Sequence, residues 1–212
     1  MKKFRITFNS PVLLTFIFLC FLATLLGVLT GGNSTLVAFS TYRWPLTSPG
    51  TWLRFFTHVI GHSGWEHFIG NATYLLLLGP LLEEKHGSKN LILIILVTAF
   101  VTGIVNYIFF PSVALCGASG VVFAFIILAS FTGFHEGEIP LTFLLVAIVF
   151  IGQQIYEGIT ITDDISNLSH ILGGCVGAII GYRFNLNRKP HMPGKKPAEP
   201  APGPGPDEMP PM

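Results

Sequence analysis

Ser119 and His170 are the two residues whose types could together hydrolyse a peptide bond. Ser119 lies between glycines at the start of one apolar run, and His170 lies near the start of another. A serine becomes a strong nucleophile when a histidine within hydrogen-bond reach takes its proton. The same histidine can then protonate the leaving amine. Because Asp163 and Asp164 fall in the polar loop before His170, outside any apolar run, the sequence favours a Ser–His dyad over a triad.

A second pair, His67 and Asn71, could stabilise the oxyanion of such a reaction. The two are four residues apart, so on a helix their side chains project from one face. Their N–H groups and the backbone N–H of Ser119 predict three donors to the oxygen that becomes negative in the transition state. A helix that starts at Ser119 adds free backbone N–H groups and the positive end of its dipole. Gly117 and Gly120 would let a substrate backbone come close.

The composition indicates that these residues belong to a membrane protein. The 212-residue chain is 50% hydrophobic and only 11% charged, whereas a typical soluble domain carries about 25% charged residues. Its formal net charge of +1 does not indicate a nucleic-acid partner, and we predict neither a cofactor nor a metal. The three cysteines, Cys20, Cys116 and Cys175, lie in or beside apolar runs and are interpreted as small packing residues.

Six apolar runs predict an all-α membrane protein, folded as a polytopic six-transmembrane-helix bundle. A basic cytoplasmic leader, residues 1–10, precedes the bundle at 11–184, and the Pro- and Gly-rich residues 185–212 predict a disordered cytoplasmic tail. A signal peptide is the alternative interpretation of the first run, but this run is long and further runs follow it. The predicted spans are residues 12–29, about 64–82, 89–110, 119–132, 140–156 and 167–184.

Local signals mark two of the helix ends. Ser10 followed by Pro11 predicts an N-cap and the first residue of the first helix. Gly87, directly after a charged segment, predicts the stop of the second span. Because consecutive spans cross the membrane in opposite directions, the start of the first span and the end of the second would lie on the same side of the membrane.

The distribution of positive residues orients the bundle. Lys and Arg cluster in the leader, between the second and third spans and in the tail, and six spans place all three clusters in the cytoplasm. The second, fourth and sixth spans then run in the same direction. His67, Ser119 and His170 consequently fall within a turn or two of one level. We expect a bacterial plasma (inner) membrane protein with both termini cytoplasmic and a site open to the outer side.

A glycine stripe in the sixth span predicts how close two of the helices come. Gly173, Gly177 and Gly181 are one helical turn apart, and such a stripe allows two helices to approach closely. Gly120 and Ala124 of the fourth span are the expected counterface. Packing alone could explain the stripe. The same close approach would also bring a histidine of one helix to a serine of the other.

Three segments resemble the motifs of the rhomboid family of intramembrane serine proteases. Residues 67–71 match its H-x-x-x-N, residues 117–120 match its G-x-S-G, and residues 169–177 resemble its A-H-x-x-G-x-x-x-G. The resemblance covers about residues 11–184. It implies a six-helix bundle, a Ser119–His170 dyad, and cleavage of transmembrane protein substrates near the outer face. It also implies an oxyanion site formed by His67, Asn71 and the Ser119 amide.

The resemblance further implies which residues touch the substrate and where the chain departs from the pattern. The implied substrate-binding residues are Gly117, Ala118, Gly120 and Phe123, the last as an aromatic shelf beneath the catalytic histidine. Phe123 can stack but has no hydroxyl to donate, and Ser169 stands where the family usually has alanine. The Trp-Arg pair of the family's first outer loop is matched only loosely, by residues 42–44. The oligomeric state is not indicated.

Three other functions fit parts of the sequence. His58, His62 and His67 could ligate zinc in a metalloprotease, although Val59 follows His58 where the H-E-x-x-H motif has glutamate. A transporter would also place polar groups in a bundle, but no internal repeat of the polar segments is present. A catalytically silent scaffold that binds membrane proteins would be expected to lack the serine or the histidine.

Overall fold

The computed structural model describes residues 7–130, 141, 144–149, 152 and 164–186. Within these residues the regular structure is helical, apart from one isolated antiparallel bridge between Thr41 and Leu115. Residues 144–149 are also helical. The named helices are α1 (Pro11–Leu29), α2 (Asn33–Ala38), α3 (Pro49–Thr57), a 3₁₀ turn (His58–Ile60), α4 (Trp65–His86), α5 (Ser88–Phe109), α6 (Ser119–Ser130) and α7 (Asp164–Leu186).

The helix bounds confirm several of the sequence predictions and correct others. Pro11 is the first residue of α1, and Gly87 ends α4 with a φ of 82°, a left-handed conformation that favours glycine. α7 begins at Asp164, so the assignment of this residue to the preceding loop is wrong. Most of the predicted span at 140–156 lies outside the described residues. Most of the leader and nearly all of the tail lie outside them as well.

Two of the described helices, α1 and α5, are long and apolar enough to cross a membrane by length and composition. α6 is apolar but has only 12 residues. The described part of the chain is therefore an all-helical structure with apolar helices, and the count of six spans stays a prediction.

Helix α1 runs antiparallel to α4 and is capped by it. Near the start of α4, Trp65 packs on Phe21 of α1 with ring centroids 5.6 Å apart. Near the end of α4, the buried carboxylate of Glu83 accepts hydrogen bonds from the backbone N–H groups of Val12 and Leu13, both at 3.1 Å. A carboxylate suits this position because the first N–H groups of a helix have no partner within it and carry partial positive charge. The predicted side-chain cap from Ser10 does not form.

We expect Glu83→Ala to destabilise the fold. The change leaves two backbone N–H groups at the start of α1 without their acceptor, and each unmatched buried donor costs about 1–3 kcal/mol. Thermal unfolding in detergent should show a loss of about 2–3 kcal/mol in the free energy of unfolding. Glu84→Ala is the matched control because Glu84 is adjacent and exposed. Equal melting temperatures for the two variants would contradict the capping role.

Helices α6 and α7 run parallel and touch at their backbones. A Cβ built on Gly173 would lie 2.9 Å from the Cα of Gly120, and one built on Gly177 would lie 2.9 Å from the Cα of Ala124. Each step of four residues along α7 thus matches a step of four along α6. This contact confirms the predicted counterface of the glycine stripe. α6 also contacts α4 and α5, so it lies at the centre of the described bundle.

Candidate active site

Helices α4, α6 and α7 open at one end onto a cavity of about 1010 Å³. Ser119 and His170 line this cavity, and so do His67 and Asn71. The four residues are contributed by three helices and are separated by up to 103 positions in the sequence (170 − 67). The helical residues 144–149 form another wall. The other lining residues are Ser63, Gly64, Trp65, Glu66, Gly70, Tyr74, Leu115, Cys116, Val122, Phe123, Ile126, Leu145, Val146 and Val149.

The loop before Ser119 is held by backbone hydrogen bonds. Thr41 and Leu115 exchange two backbone bonds of 2.9 Å, and the N–H of Gly117 donates to the carbonyl of His58 at 2.9 Å. Gly117 has a φ of 131°, and a Cβ at this position would lie 2.7 Å from the ring of His67. Glycine is therefore needed here both for the backbone conformation and for the space that the His67 ring occupies.

His170 has a stacked aromatic neighbour. The ring of Phe123 lies 4.2 Å from that of His170, centroid to centroid, with an angle of 28° between the planes. Phe123 is on α6, one turn after Ser119, and His170 is on α7, so the stack links the two helices. A flat contact of this kind limits how the imidazole can turn.

The other three residues implied in substrate binding do not line the cavity. Ala118 is fully buried. Gly120 faces α5 and α7, since a Cβ there would lie 3.3 Å from Cγ2 of Thr102 and 3.4 Å from the carbonyl oxygen of Ser169. Gly117 packs against the His67 ring, as described above. Of the four implied residues, only Phe123 is part of the cavity wall.

Asn71 presents a buried donor to the cavity. Its side chain is 8% exposed, and its Nδ2 finds no acceptor among the residues that the structure describes. Buried amide groups are nearly always hydrogen-bonded, so a buried donor on a cavity wall is suited to an oxygen of a bound molecule. His67 lies one turn before it on the same helix and lines the same cavity.

His58 and His62, the two histidines before α4, are buried against other groups of the protein. His58 is buried and its Nε2 lies 3.0 Å from the carbonyl oxygen of Ala99. His62 is buried beside the ring of His67, with centroids 5.0 Å apart. Burial lowers the pKa of His62 to about 4, and repulsion from His67 adds to this effect. No group of three or more His, Cys, Asp or Glu side chains in the described ranges is arranged to hold a metal ion.

The loop before α3 contains a packing arrangement that the sequence motifs do not indicate. Arg54 is buried, and its guanidinium carbon lies 4.4 Å from the ring centroid of Tyr42. Arg43 lies 5.9 Å from the ring centroid of Tyr107. Both are cation–π contacts, and they hold this loop against α3 and α5. A cation-π pair leaves no periodic signal in a sequence.

A serine, two histidines and an asparagine thus surround one cavity, at which α4, α6 and α7 meet. The family of the chain is given by comparison with known families. Residues 49–186, more than half of the chain, match the Rhomboid domain. The chain therefore belongs to the rhomboid family.

Curated relatives carry protease names. The Rhomboid protease GlpG of Haemophilus influenzae is 28% identical over 140 residues, which cover 64% of this chain and 71% of that protein. The Rhomboid protease GlpG of Enterobacter sp. (strain 638) is 26% identical over 182 residues, covering 85% of this chain and 65% of that protein. The Rhomboid protease GluP of Bacillus subtilis is 26% identical over 156 residues, covering 71% and 31% respectively. The chain thus spans less than two thirds of the last two.

Proposed function

We propose that this protein is an intramembrane serine endopeptidase that cleaves transmembrane proteins. The observation that carries the proposal is the single cavity lined by Ser119, His170, His67 and Asn71. The protease names of the relatives support the reaction class. Ser119 is the proposed nucleophile and His170 the proposed general base and acid.

The reaction would proceed through an acyl-enzyme. Ser119 Oγ attacks the scissile carbonyl carbon while His170 takes the hydroxyl proton. The carbonyl oxygen becomes an oxyanion, which accepts hydrogen bonds from Asn71 Nδ2, His67 and the Ser119 backbone N–H. Collapse breaks the C–N bond, and His170 gives its proton to the leaving amine. Water, deprotonated by His170, then attacks the ester carbonyl; the bond to Ser119 Oγ breaks and His170 returns the proton to this oxygen. Phe123 would keep the imidazole in one orientation through its stack.

The bilayer restricts which segments of a transmembrane protein can be cleaved. A transmembrane helix hides its carbonyl groups in internal hydrogen bonds, so a cleavable segment must first unwind. We expect residues that form helices poorly near the cut site. The proposal includes six spans, a position in the plasma membrane, cytoplasmic termini and a site that opens toward the outer side. The six spans rest on the apolar runs of the sequence, and the orientation rests on its distribution of Lys and Arg.

A cleavage assay tests the proposed activity. Purified protein in detergent is incubated with a model transmembrane substrate, with and without EDTA. Cleavage that EDTA does not change is expected for a serine dyad. Loss of cleavage with EDTA would support the metalloprotease alternative, and binding of the substrate without cleavage would support a silent scaffold.

Asn71→Ala should lower the turnover of the substrate. Removing one oxyanion donor costs on the order of 100- to 1,000-fold in kcat. Asn90→Ala is the control, since Asn90 donates to the carbonyl of His86 at the opposite end of the bundle. The two variants are compared by initial rates on the same substrate. A fully active Asn71→Ala would show that the oxyanion role is wrong, whatever becomes of the dyad.

A further inference from the structure

Ser63 contacts Nδ1 of His67, the ring nitrogen further from Gly117. Ser63 Oγ lies 3.2 Å from Nδ1 of His67. The opposite edge of the same ring, Nε2 and Cε1, faces Gly117, where a Cβ would lie 2.7 Å from both atoms. The ring is therefore held between a hydroxyl on one side and the backbone before Ser119 on the other.

The position of the ring proton decides what His67 can do. A neutral imidazole carries its proton on one nitrogen, and the other nitrogen is an acceptor. If Nδ1 accepts from the Ser63 hydroxyl, the proton is on Nε2, at the edge beside the oxyanion site. If Nδ1 carries the proton, Nε2 presents a lone pair to the same region. A lone pair would repel an oxyanion, whereas an N–H group would stabilise it.

The neighbouring histidine shows how a local acceptor selects the opposite tautomer. Nδ1 of His62 lies 3.2 Å from the carbonyl oxygen of Ile60, and a carbonyl oxygen can only accept. The neutral His62 ring consequently carries its proton on Nδ1. His62 and His67 are five residues apart and their rings touch, but their Nδ1 partners differ in kind.

We infer that Ser63 is a positioning residue: its hydroxyl donates to Nδ1 of His67 and so places the His67 proton on Nε2, ready for the oxyanion. This inference rests on the proposed function, because the value of an Nε2 proton depends on an oxyanion that forms nearby. Ser63 also lines the cavity, so the substrate would pass close to this hydrogen bond.

The test uses three variants of the full chain. Ser63→Ala removes the hydroxyl, Ser63→Thr retains it, and Ser34→Ala removes another exposed serine hydroxyl, which is bonded to Thr30 Oγ1. Because Ser63 is exposed and water competes for Nδ1, we expect Ser63→Ala to lower kcat by about twofold to tenfold with KM unchanged. Ser63→Thr should restore the rate, and Ser34→Ala should leave it unchanged.

A spectroscopic measurement separates this inference from the proposed function. The ¹⁵N shifts of the His67 ring are recorded in the inactive Ser119→Ala background, with and without Ser63→Ala. The inference predicts an unprotonated Nδ1 and a protonated Nε2 when Ser63 is present, and a mixture of tautomers when it is absent. A protonated Nδ1 with Ser63 present, or the same tautomer in both proteins, would overturn it. Neither result depends on catalysis, so failure of the proposed function is detected separately, by the cleavage assay.

Discussion

We expect that replacement of either Ser119 or His170 by alanine will abolish cleavage of a transmembrane substrate while the protein remains folded. Ser119→Ala removes the attacking oxygen, and His170→Ala removes the base that activates it. In a serine protease, loss of one such group lowers kcat by a factor on the order of 10⁶. Detergent-purified variants are compared with wild type by initial rates and by thermal unfolding. Ser130→Ala is the control, because Ser130 is on the same helix and, within the described residues, its hydroxyl donates to the carbonyl of Ile126.

The double variant gives a sharper result than either single change. Residues that act as one unit have non-additive effects, so Ser119→Ala combined with His170→Ala should be no less active than either single variant. Independent roles would instead give multiplied losses. Appreciable cleavage by Ser119→Ala would contradict the nucleophile assignment.

Gly173→Val should cause the second largest loss, through the separation of two helices. The new side chain would press against the carbonyl oxygen of Gly120, with the Cα of Gly120 only 2.9 Å from the added Cβ. These are backbone atoms, which cannot rotate away as a flexible side chain can. α7 must therefore move from α6 and take His170 with it. A displacement of 1 Å in a catalytic group costs on the order of 100-fold in rate.

Cys175→Val is the matched control for this change. Cys175 lies two residues further along α7 and is exposed, so the same β-branched side chain meets no helix of the described ranges there. Both variants are assayed for cleavage and for melting temperature. The expected result is a loss of at least about 100-fold for Gly173→Val and near wild-type rates for Cys175→Val. Equal rates would show that the close contact of α6 and α7 does not position His170.

Features with a periodic or a local signal are predictable from the sequence. Gly173 and Gly177 repeat at four residues, and this repeat identified Gly120 and Ala124 on the other helix. The stop at Gly87 was predictable because few residues other than glycine adopt its backbone conformation. Such signals are local, so they can be read without knowing the fold.

Features that join distant segments could not be predicted in this way. The cap of α1 is the side chain of Glu83, 71 residues from Val12, so the local serine was a misleading signal. The sequence predicts a start of the sixth span at residue 167, after the beginning of α7 at Asp164, because the polar Asp164 resembles a loop residue. A polar residue can begin a helix as readily as it can end a loop.

The same distinction applies to the candidate site. The four-residue spacing of His67 and Asn71 indicated a shared helix face, and both line the cavity. No local pattern indicates that Gly117 makes room for the His67 ring, because that contact joins a loop to a helix 50 residues away (117 − 67). Nor does any local pattern indicate that Ser63 reaches Nδ1 of His67, since this depends on how the chain enters α4.

Labelling with a fluorophosphonate probe tests the central claim most directly. An activated serine displaces fluoride and forms a covalent bond from its oxygen to phosphorus, with no need for a known substrate. Wild type, Ser119→Ala and His170→Ala are labelled in detergent under identical conditions. The account predicts labelling of wild type at Ser119 and none in either variant. Equal labelling of wild type and Ser119→Ala, or no labelling of a folded wild-type protein that still cleaves the substrate, would contradict it.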